Sequence, residues 1–430
     1  MAAAGDANAK HMPVMDLIDE INLCLPGPLP ARIGVGVSGG SDSTALLILL
    51  ARWGQQHDVE VLAATVDHGL RVEAAAEAQK VAKLCRELKI DHQTLHWQDW
   101  EGKGNLQDQA RQARRDLLGI WARDHQVSAI ALGHTQDDQA ETVLMRLVRG
   151  SGVDGLAGMA RSSLYGGLRY FRPLLGVRRQ RLRDILTDKA IAWSDDPSND
   201  DTQFDRIKIR KLMAELAVST QGLAETAERM QEARSFLEAQ TFNLAQGIAT
   251  VTKAGDVKID LAQFSKQPLE MRQRLLAHSL KWVASSPYRP RLEGLQRLLA
   301  AIEVGQKSTL LGCVCETTKS GHIIVSREYS AVKDASCGVD QVWDHRWKAN
   351  GLELAPPCTI AALGEAGLAQ CPAWRETGLL RASLLASPSI WNSGVLVSAP
   401  IAAPLQNWSQ NWQIDLVNQE NSFFSAILSH

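Results

Sequence analysis

The sequence predicts a doubly wound parallel α/β sheet, followed by a helical domain and a smaller mixed α/β C-terminal domain. Three observations predict this. From about residue 30 to 135, short apolar runs rich in β-branched residues alternate with stretches of helical periodicity, the pattern of parallel strands joined by crossover helices. From Asp205 to about Ile302 the pattern is helical, broken at Ser285-Ser286-Pro287-Tyr288-Arg289-Pro290. After about residue 335 it dissolves into short β-like runs interrupted by Pro and Gly. The expected division is a flexible N-terminal segment (1–28), the α/β domain (29–215), a helical substrate-binding domain (216–305) and a C-terminal mixed or β-rich domain (306–430).

The elements follow in order. Arg32-Ile33-Gly34-Val35-Gly36-Val37 reads as a buried parallel strand, and Thr44 to Arg52 as a helix. Val59–Val66 is a second strand ending in Asp67-His68, followed by a helix from Glu73 to Leu88. Leu95-His96-Trp97 is a weak third strand, Asn105–His125 a helix, and Ser128–Leu132 a strand closing at Gly133-His134. Asp205–Ile248 reads as nearly continuous helix, with further helices at Pro268–Ala284 and Arg291–Ile302. Strands are expected at Ser308–Cys315 and His322–Arg327.

Bulk properties set limits. A length of 430 residues exceeds one ordinary core, and the 45% hydrophobic and 22% charged residues are those of a globular chain. No apolar run is long enough to span a bilayer. The opening MAAAGDANAKHMPVMD reads as a loose tail and not as a signal peptide. Seven scattered cysteines form neither a C-x-x-C pair nor a disulfide framework, which suits a cytoplasmic setting. The net charge of −2 gives no global sign of a nucleic-acid partner, so such a partner must be read from local patches.

The densest chemical signal is Ser38-Gly39-Gly40-Ser41-Asp42-Ser43, between the first strand and its helix. Glycines let a backbone turn tightly and approach a ligand, and free N–H groups at a helix start attract an anion. The serine hydroxyls add donors, and Asp42 adds a carboxylate suited to Mg²⁺. The loop lacks the lysine of a Walker motif, and its simpler alternative is an ordinary Ser/Gly turn. In doubly wound sheets ligands sit beyond the carboxyl ends of the strands. The loop, Asp67-His68 and Gly133-His134 would all emerge there. His134 and Asp138 are four apart, as for one helical face, and can reach one point. Asp137 beside them is equally explained by helix capping.

The loop resembles that of the N-type ATP pyrophosphatases, the PP-loop superfamily. GHTQDDQAETVLMRLVRGSGVDGL (Gly133–Leu156) is similar to the signature of the tRNA(Ile)-lysidine synthetases. So are VDHGLR (Val66–Arg71), NLQDQARQARRDLL (Asn105–Leu118), RPLL (Arg172–Leu175) and DDPSNDD (Asp195–Asp201), in that family's order. The resemblance is dense over about residues 30–215. It implies adenylation of C2 of a wobble cytidine by ATP, then displacement of AMP by the ε-amine of free L-lysine, on an isoleucine tRNA with a CAU anticodon. By matching positions, Asp42, Arg114, His134, Asp138 and Arg206 are the expected catalytic residues. ATP is expected on Ser38, Gly39, Gly40, Ser41, Asp42, Ser43, Asp67, His68 and Gly133, with Mg²⁺ on Asp42. Arg149, Arg178, Arg179, Arg181, Arg183, Arg206, Lys208 and Arg210 are the expected tRNA contacts, with the C-terminal domain gripping the rest of the tRNA. No membrane partner is expected, and a homodimer is left open.

Three positions depart from the family pattern: Ser41 stands where an apolar residue is usual, Thr135 where a second histidine is usual, and Lys208 where an arginine is usual. The alternatives are another PP-loop ligase, a tRNA thiolase, or a tRNA-binding protein without chemistry. A thiolase needs a reactive cysteine, and only Cys24 and Cys85 precede residue 313. The twelve tryptophans invite a base-stacking reading, but their scatter favours core positions.

Overall fold

A computed structural model describes residues 14–25, 27–69, 73–97, 106–194, 205–350, 358–404, 406, 408, 412–417 and 420–428. The motif residues Leu70, Arg71, Asn105 and Asp195–Asp201 lie outside the described residues. The chain divides into two compact units, one ending at Arg234 and one from Ser235 to Ser429.

The N-terminal unit is built on a six-stranded sheet: β1 (Arg32–Gly36), β2 (Glu60–Asp67), β3 (Asp91–His96), β4 (Ala129–Leu132), β5 (Ser162–Tyr165) and β6 (Leu168–Phe171). The order is β3-β2-β1-β4-β6-β5, parallel throughout except for the β5–β6 hairpin at one edge. The chain leaves β1 for β2 and β3 on one side and returns to β4 on the other. That makes the β1/β4 junction the switch point, where such sheets open a crevice. The helices are α1 (Val14–Cys24), α2 (Ser41–His57), α3 (Glu73–Glu87), α4 (Leu106–Asp124), α5 (Gln136–Val148), α6 (Val153–Leu156), α7 (Arg179–Asp188), α8 (Asp205–Glu215) and α9 (Thr220–Ile248), the last crossing the division between the units.

Strand β1 shows how the sheet is dressed. Ile33, Val35 and Val37 point into a cluster with Leu46, Leu47, Leu50 and Trp53 of α2 and Leu182, Ile185 and Leu186 of α7. Gly34 and Gly36 face the other side, where α4 packs. A Cβ at Gly34 would lie 2.7 Å from Trp121, so the glycine lets α4 seat against the strand. Leu118, Trp121 and Ala122 then pack on Leu62, Ala64 and Ile130. Each fully buried large side chain is worth roughly 1.5–3 kcal/mol.

Two expectations need correction here. The segment 1–28 is not wholly loose: Leu17, Ile18, Ile21 and Cys24 of α1, on one helical face, are 0–3% exposed in the main core. The helical stretch expected over 205–248 is interrupted between Glu215 and Thr220, where Ala217 takes a positive φ of 48°.

In the second unit, β7 (Ala249–Val251), β8 (Val257–Asp260), β9 (Ser308–Leu310), β10 (Cys313–Thr317) and β11 (His322–Arg327) form an antiparallel sheet in the order β7-β8-β11-β10-β9. The stretch read as one strand at 308–315 is a hairpin turning at Leu311-Gly312, both with positive φ. Helices α10 (Leu261–Ser265), α11 (Leu269–Val283) and α12 (Leu292–Glu303) pack on that sheet. Leu275, Leu280, Leu298 and Ile302 share one cluster with Cys313, Cys315, Ile323 and Val325. The boundary expected at 305/306 therefore falls inside a single core. Beyond it, strands at Ser336–Gly338, Cys358–Ala362, Pro388–Asn392 and Val395–Ser398 form one antiparallel sheet, and Val342–Trp343, Trp347–Asn350 and Gln413–Leu416 another. Trp343, Trp347 and Trp412 are buried in the cluster they enclose. No described tryptophan is exposed, as the core reading of these residues expects.

Candidate active site

The loop after β1 is shaped by its own hydroxyls. Gly39 takes φ +87°, a conformation a side chain would strain, and its carbonyl accepts the Ser194 amide at 2.9 Å. Ser43 Oγ accepts the Ser38 amide at 3.1 Å and donates to Gly40 O at 3.1 Å. Among the described residues no side chain caps the start of α2, which presents the positive end of its dipole to the loop. Gly133, ending β4, sits against this turn. A Cβ there would lie 2.9 Å from Ser43 Cα and 3.1 Å from the Asp42 carbonyl carbon, both backbone atoms that cannot move aside.

Helix α5 begins with a capping box. The Thr135 amide and Oγ1 both donate to Asp138 Oδ2 at 2.9 Å, and Thr135 Oγ1 accepts the Asp138 amide. Thr135 is fully buried. The residue that departs from the family pattern thus fixes Oδ2 of Asp138 and leaves Oδ1 for other partners. Asp137, which sequence left between capping and chemistry, accepts the backbone amide of Arg179 at 2.8 Å and so caps α7, not its own helix.

Between the two motifs lies a cleft of about 330 Å³, at the lower end of the range for small-molecule sites. It is lined by Ser38, Gly40, Ser41, Asp42 and Ser43 of the loop, by Gly133, His134 and Asp138, by Arg114 of α4, and by Arg206 and Arg210 of α8. Arg114 reaches it beside Gly36, where a Cβ would lie 3.7 Å from the guanidinium. All five expected catalytic residues are brought together. Asp67 and His68 are not among the lining residues: Asp67 accepts the Gly69 amide and faces His96, and His68 lies edge-on to Trp97.

The expected tRNA contacts divide. Arg149 at the end of α5, Arg178 before α7 and Lys208 are exposed, and Arg181 is half-buried. Arg183, Arg206 and Arg210 line the cleft. Arg179 is not a surface contact. Its Nε donates to Asp42 Oδ2 at 2.8 Å, Nη2 to Asp138 Oδ1 at 3.1 Å, and Nη1 lies 3.8 Å from Glu141 Oε1. Glu141, which sequence reasoning missed, is 2% exposed and also pairs with Arg206 and Arg210. Its position one turn after Asp138 was the available signal.

These neighbours set the protonation states. Burial pushes the His134 imidazole down to about 3, against the pull of Asp138 and helped by Arg172 and Arg114, so it is neutral at pH 7. Its Nδ1 is buried and has no hydrogen-bond partner among the described residues. Burial raises Asp138, but Arg179, Arg206, His134 and the Thr135 amide outweigh it and hold the carboxyl below its ordinary value. Burial dominates at Asp42 and Glu141, and both are raised in spite of their arginines. Arg114 is lowered by burial.

Among the described residues no group of three or more His, Cys, Asp or Glu forms a cage for a metal ion. Mg²⁺ is commonly held by one or two carboxylates plus substrate phosphates, and the hard oxygens of Asp42 beside the anion-binding loop fit that demand. The two N-terminal cysteines are 2% and 0% exposed, and burial raises both thiols, Cys85 to about 12. Neither has the low pKa and access of a reactive thiol. No described helix is long and apolar enough to cross a membrane.

A PP-loop domain family model matches residues 18–216. A tRNA(Ile)-lysidine synthase from Ruegeria pomeroyi is 42% identical over 418 residues, covering 96% of this chain and 98% of that protein. One from Hyphomonas neptunium is 38% identical over 70% of this chain and 84% of its own, and one from Mesorhizobium japonicum 35% identical over 86% and 84%. Among solved structures, a U34-tRNA thiolase, NcsA from Methanococcus maripaludis, aligns with 51% of this chain and 78% of its own at 19% identity. Its TM-score of 0.44 is too low to bear on fold or chemistry. With a PP-loop domain and a relative 42% identical over nearly the whole of both chains, the chain belongs to the tRNA(Ile)-lysidine synthase family.

Proposed function

We propose that this chain is an ATP-dependent ligase that forms lysidine at the wobble cytidine of a CAU-anticodon isoleucine tRNA, using free L-lysine. The observation that carries the reading is the convergence, in one cleft, of the anion-binding loop with Arg114, His134, Asp138 and Arg206. In the first step the C2 oxygen of the cytidine attacks the α-phosphorus, and the bond to the β-phosphate breaks to release pyrophosphate. In the second, the lysine ε-amine attacks C2, the C–O bond to AMP breaks, and the amine sheds its proton. The product reads AUA in place of AUG.

Each step draws on groups that line the cleft. The α2 amides and the Ser38, Ser41 and Ser43 hydroxyls would hold the pyrophosphate oxygens. Arg114 and Arg206 would stabilise charge gathering at the α-phosphate. Lysine's reference pKa is near 10.4, so an acceptor must help free the amine. The unpartnered His134 Nδ1, neutral at pH 7, would accept a hydrogen bond from the amine in the tautomer protonated at Nε2, the ionised Asp138 would orient the ammonium, and the proton would leave to solvent. When bound at Asp42, Mg²⁺ would add Lewis-acid charge at the phosphates. Exposed Arg149, Arg178 and Lys208 would contact RNA phosphates, in a cytoplasmic setting.

The test is incubation with ATP, Mg²⁺, labelled lysine and an isoleucine tRNA transcript bearing CAU. Label in that tRNA and none in a methionine tRNA is expected. Pyrophosphate release without label would sink lysine as second substrate, and neither signal would leave only RNA binding.

A further inference from the structure

Arg179 sits where two helices and one loop meet. Its amide is fixed by Asp137, and its guanidinium spans from Asp42 to Asp138 with Glu141 behind them. Glu141 has counter-ions of its own in Arg206 and Arg210. Asp42 and Asp138 both line the cleft and are paired through Arg179. A divalent cation on Asp42 and a guanidinium 2.8 Å from the same carboxylate repel, so each disfavours the other there.

We infer that Arg179 is the internal counter-ion of the nucleotide-free site, a positioning residue that holds Asp42 and Asp138 in place and yields Asp42 to the cation that arrives with nucleotide. The inference rests on the nucleotide reading of the cleft. The incoming phosphates supply the negative charge that the displaced guanidinium then needs, so cation and nucleotide bind cooperatively. Without nucleotide, Arg179 keeps the cation out. A surface arginine waiting for RNA would have no such effect.

The test is Mn²⁺ binding to the full-length protein, followed by electron paramagnetic resonance with and without the ATP analogue AMPCPP. Arg179→Ala is expected to tighten nucleotide-free Mn²⁺ binding by about tenfold or more, the scale on which an opposite charge nearby biases a carboxylate. Adding Asp42→Asn should abolish the gain, and Arg179→Lys should restore weak binding. If Arg179→Ala does not fold, Arg179→Gln gives the same reading. Wild-type Mn²⁺ affinity in the uncharged variant, or a gain that survives Asp42→Asn, would overturn the inference. A wild-type protein showing no AMPCPP-dependent Mn²⁺ signal would sink the nucleotide reading and the inference with it.

Discussion

Each of the two units holds a histidine and several arginines that are at least half-buried, yet they use them differently. In the C-terminal unit three of these groups each close on a neighbour. His278 Nε2 meets the Phe423 carbonyl at 2.7 Å, Arg327 grips Asp344 with two bonds of 2.8 and 2.9 Å, and Arg346 donates to Gly255 O while lying over Trp282. In the N-terminal unit, His134 has an open Nδ1, and Arg114, Arg179, Arg206 and Arg210 point at a shared space. Buried charge alone therefore does not mark a site. What marks it is buried charge left facing a cavity.

Substitutions can break that contrast. The largest expected effect is at Asp138→Asn, which keeps shape and removes charge. Lysine transfer should fall about 10²–10⁴-fold in single-turnover assays, with AMPCPP binding retained. Arg114→Ala should slow pyrophosphate release by about 10²–10³-fold, the scale of one lost electrostatic donor. The matching change in the other unit, Asp344→Asn, strands a largely buried Arg327. It should cost about 2–4 kcal/mol in urea unfolding and leave AMPCPP affinity as it was. If Asp344→Asn abolished nucleotide binding instead, the division into site and scaffold would be wrong.

The histidines sharpen the comparison. His134 is held near 3 and His278 near 4, both chiefly by burial and both below the ordinary 6.5. The unfolded chain takes up these protons first. Their contribution to stability is thus intact above about pH 6.5 and is lost as pH falls towards 4 for His278 and 3 for His134. Neither imidazole should titrate between pH 5 and 8 by proton NMR; a midpoint there for His134 would refute its neutral state. The smallest effect is expected for Thr135→Ser, which keeps the donor to Asp138 and should change kcat less than threefold. Thr135→Val, losing the cap, should cost about 1 kcal/mol and lower kcat with KM for ATP little altered.

What the sequence made legible was local. The loop Ser38–Ser43 and the block from Gly133 carry their chemistry in consecutive residues, so motif and strand–helix alternation place them at the same sheet edge. Arg179's inward role was not legible, because it depends on which way a helix faces a neighbour distant in sequence, whereas Glu141 offered only its spacing from Asp138. Among four clustered arginines, nothing in the order of residues separates the one that turns inward. The 305/306 boundary failed for a related reason: periodicity shows that α11 and α12 have an apolar face, but not that strands β9–β11 cover it. Helix α1 did carry a signal, Leu17, Ile18, Ile21 and Cys24, that the unstructured look of the preceding residues obscured.

The cleft's lining holds five arginines, Arg114, Arg179, Arg183, Arg206 and Arg210, against the three carboxylates of Asp42, Glu77 and Asp138, on a chain whose net charge is −2. A positive pocket in a negative molecule focuses its field at the mouth. Polyanions are drawn towards that mouth. The speed of capture, more than the time of residence, should then depend on ionic strength. At the low salt of many assays the protein would collect its anionic ligands faster than it does near physiological salt, where the Debye length is about 8 Å.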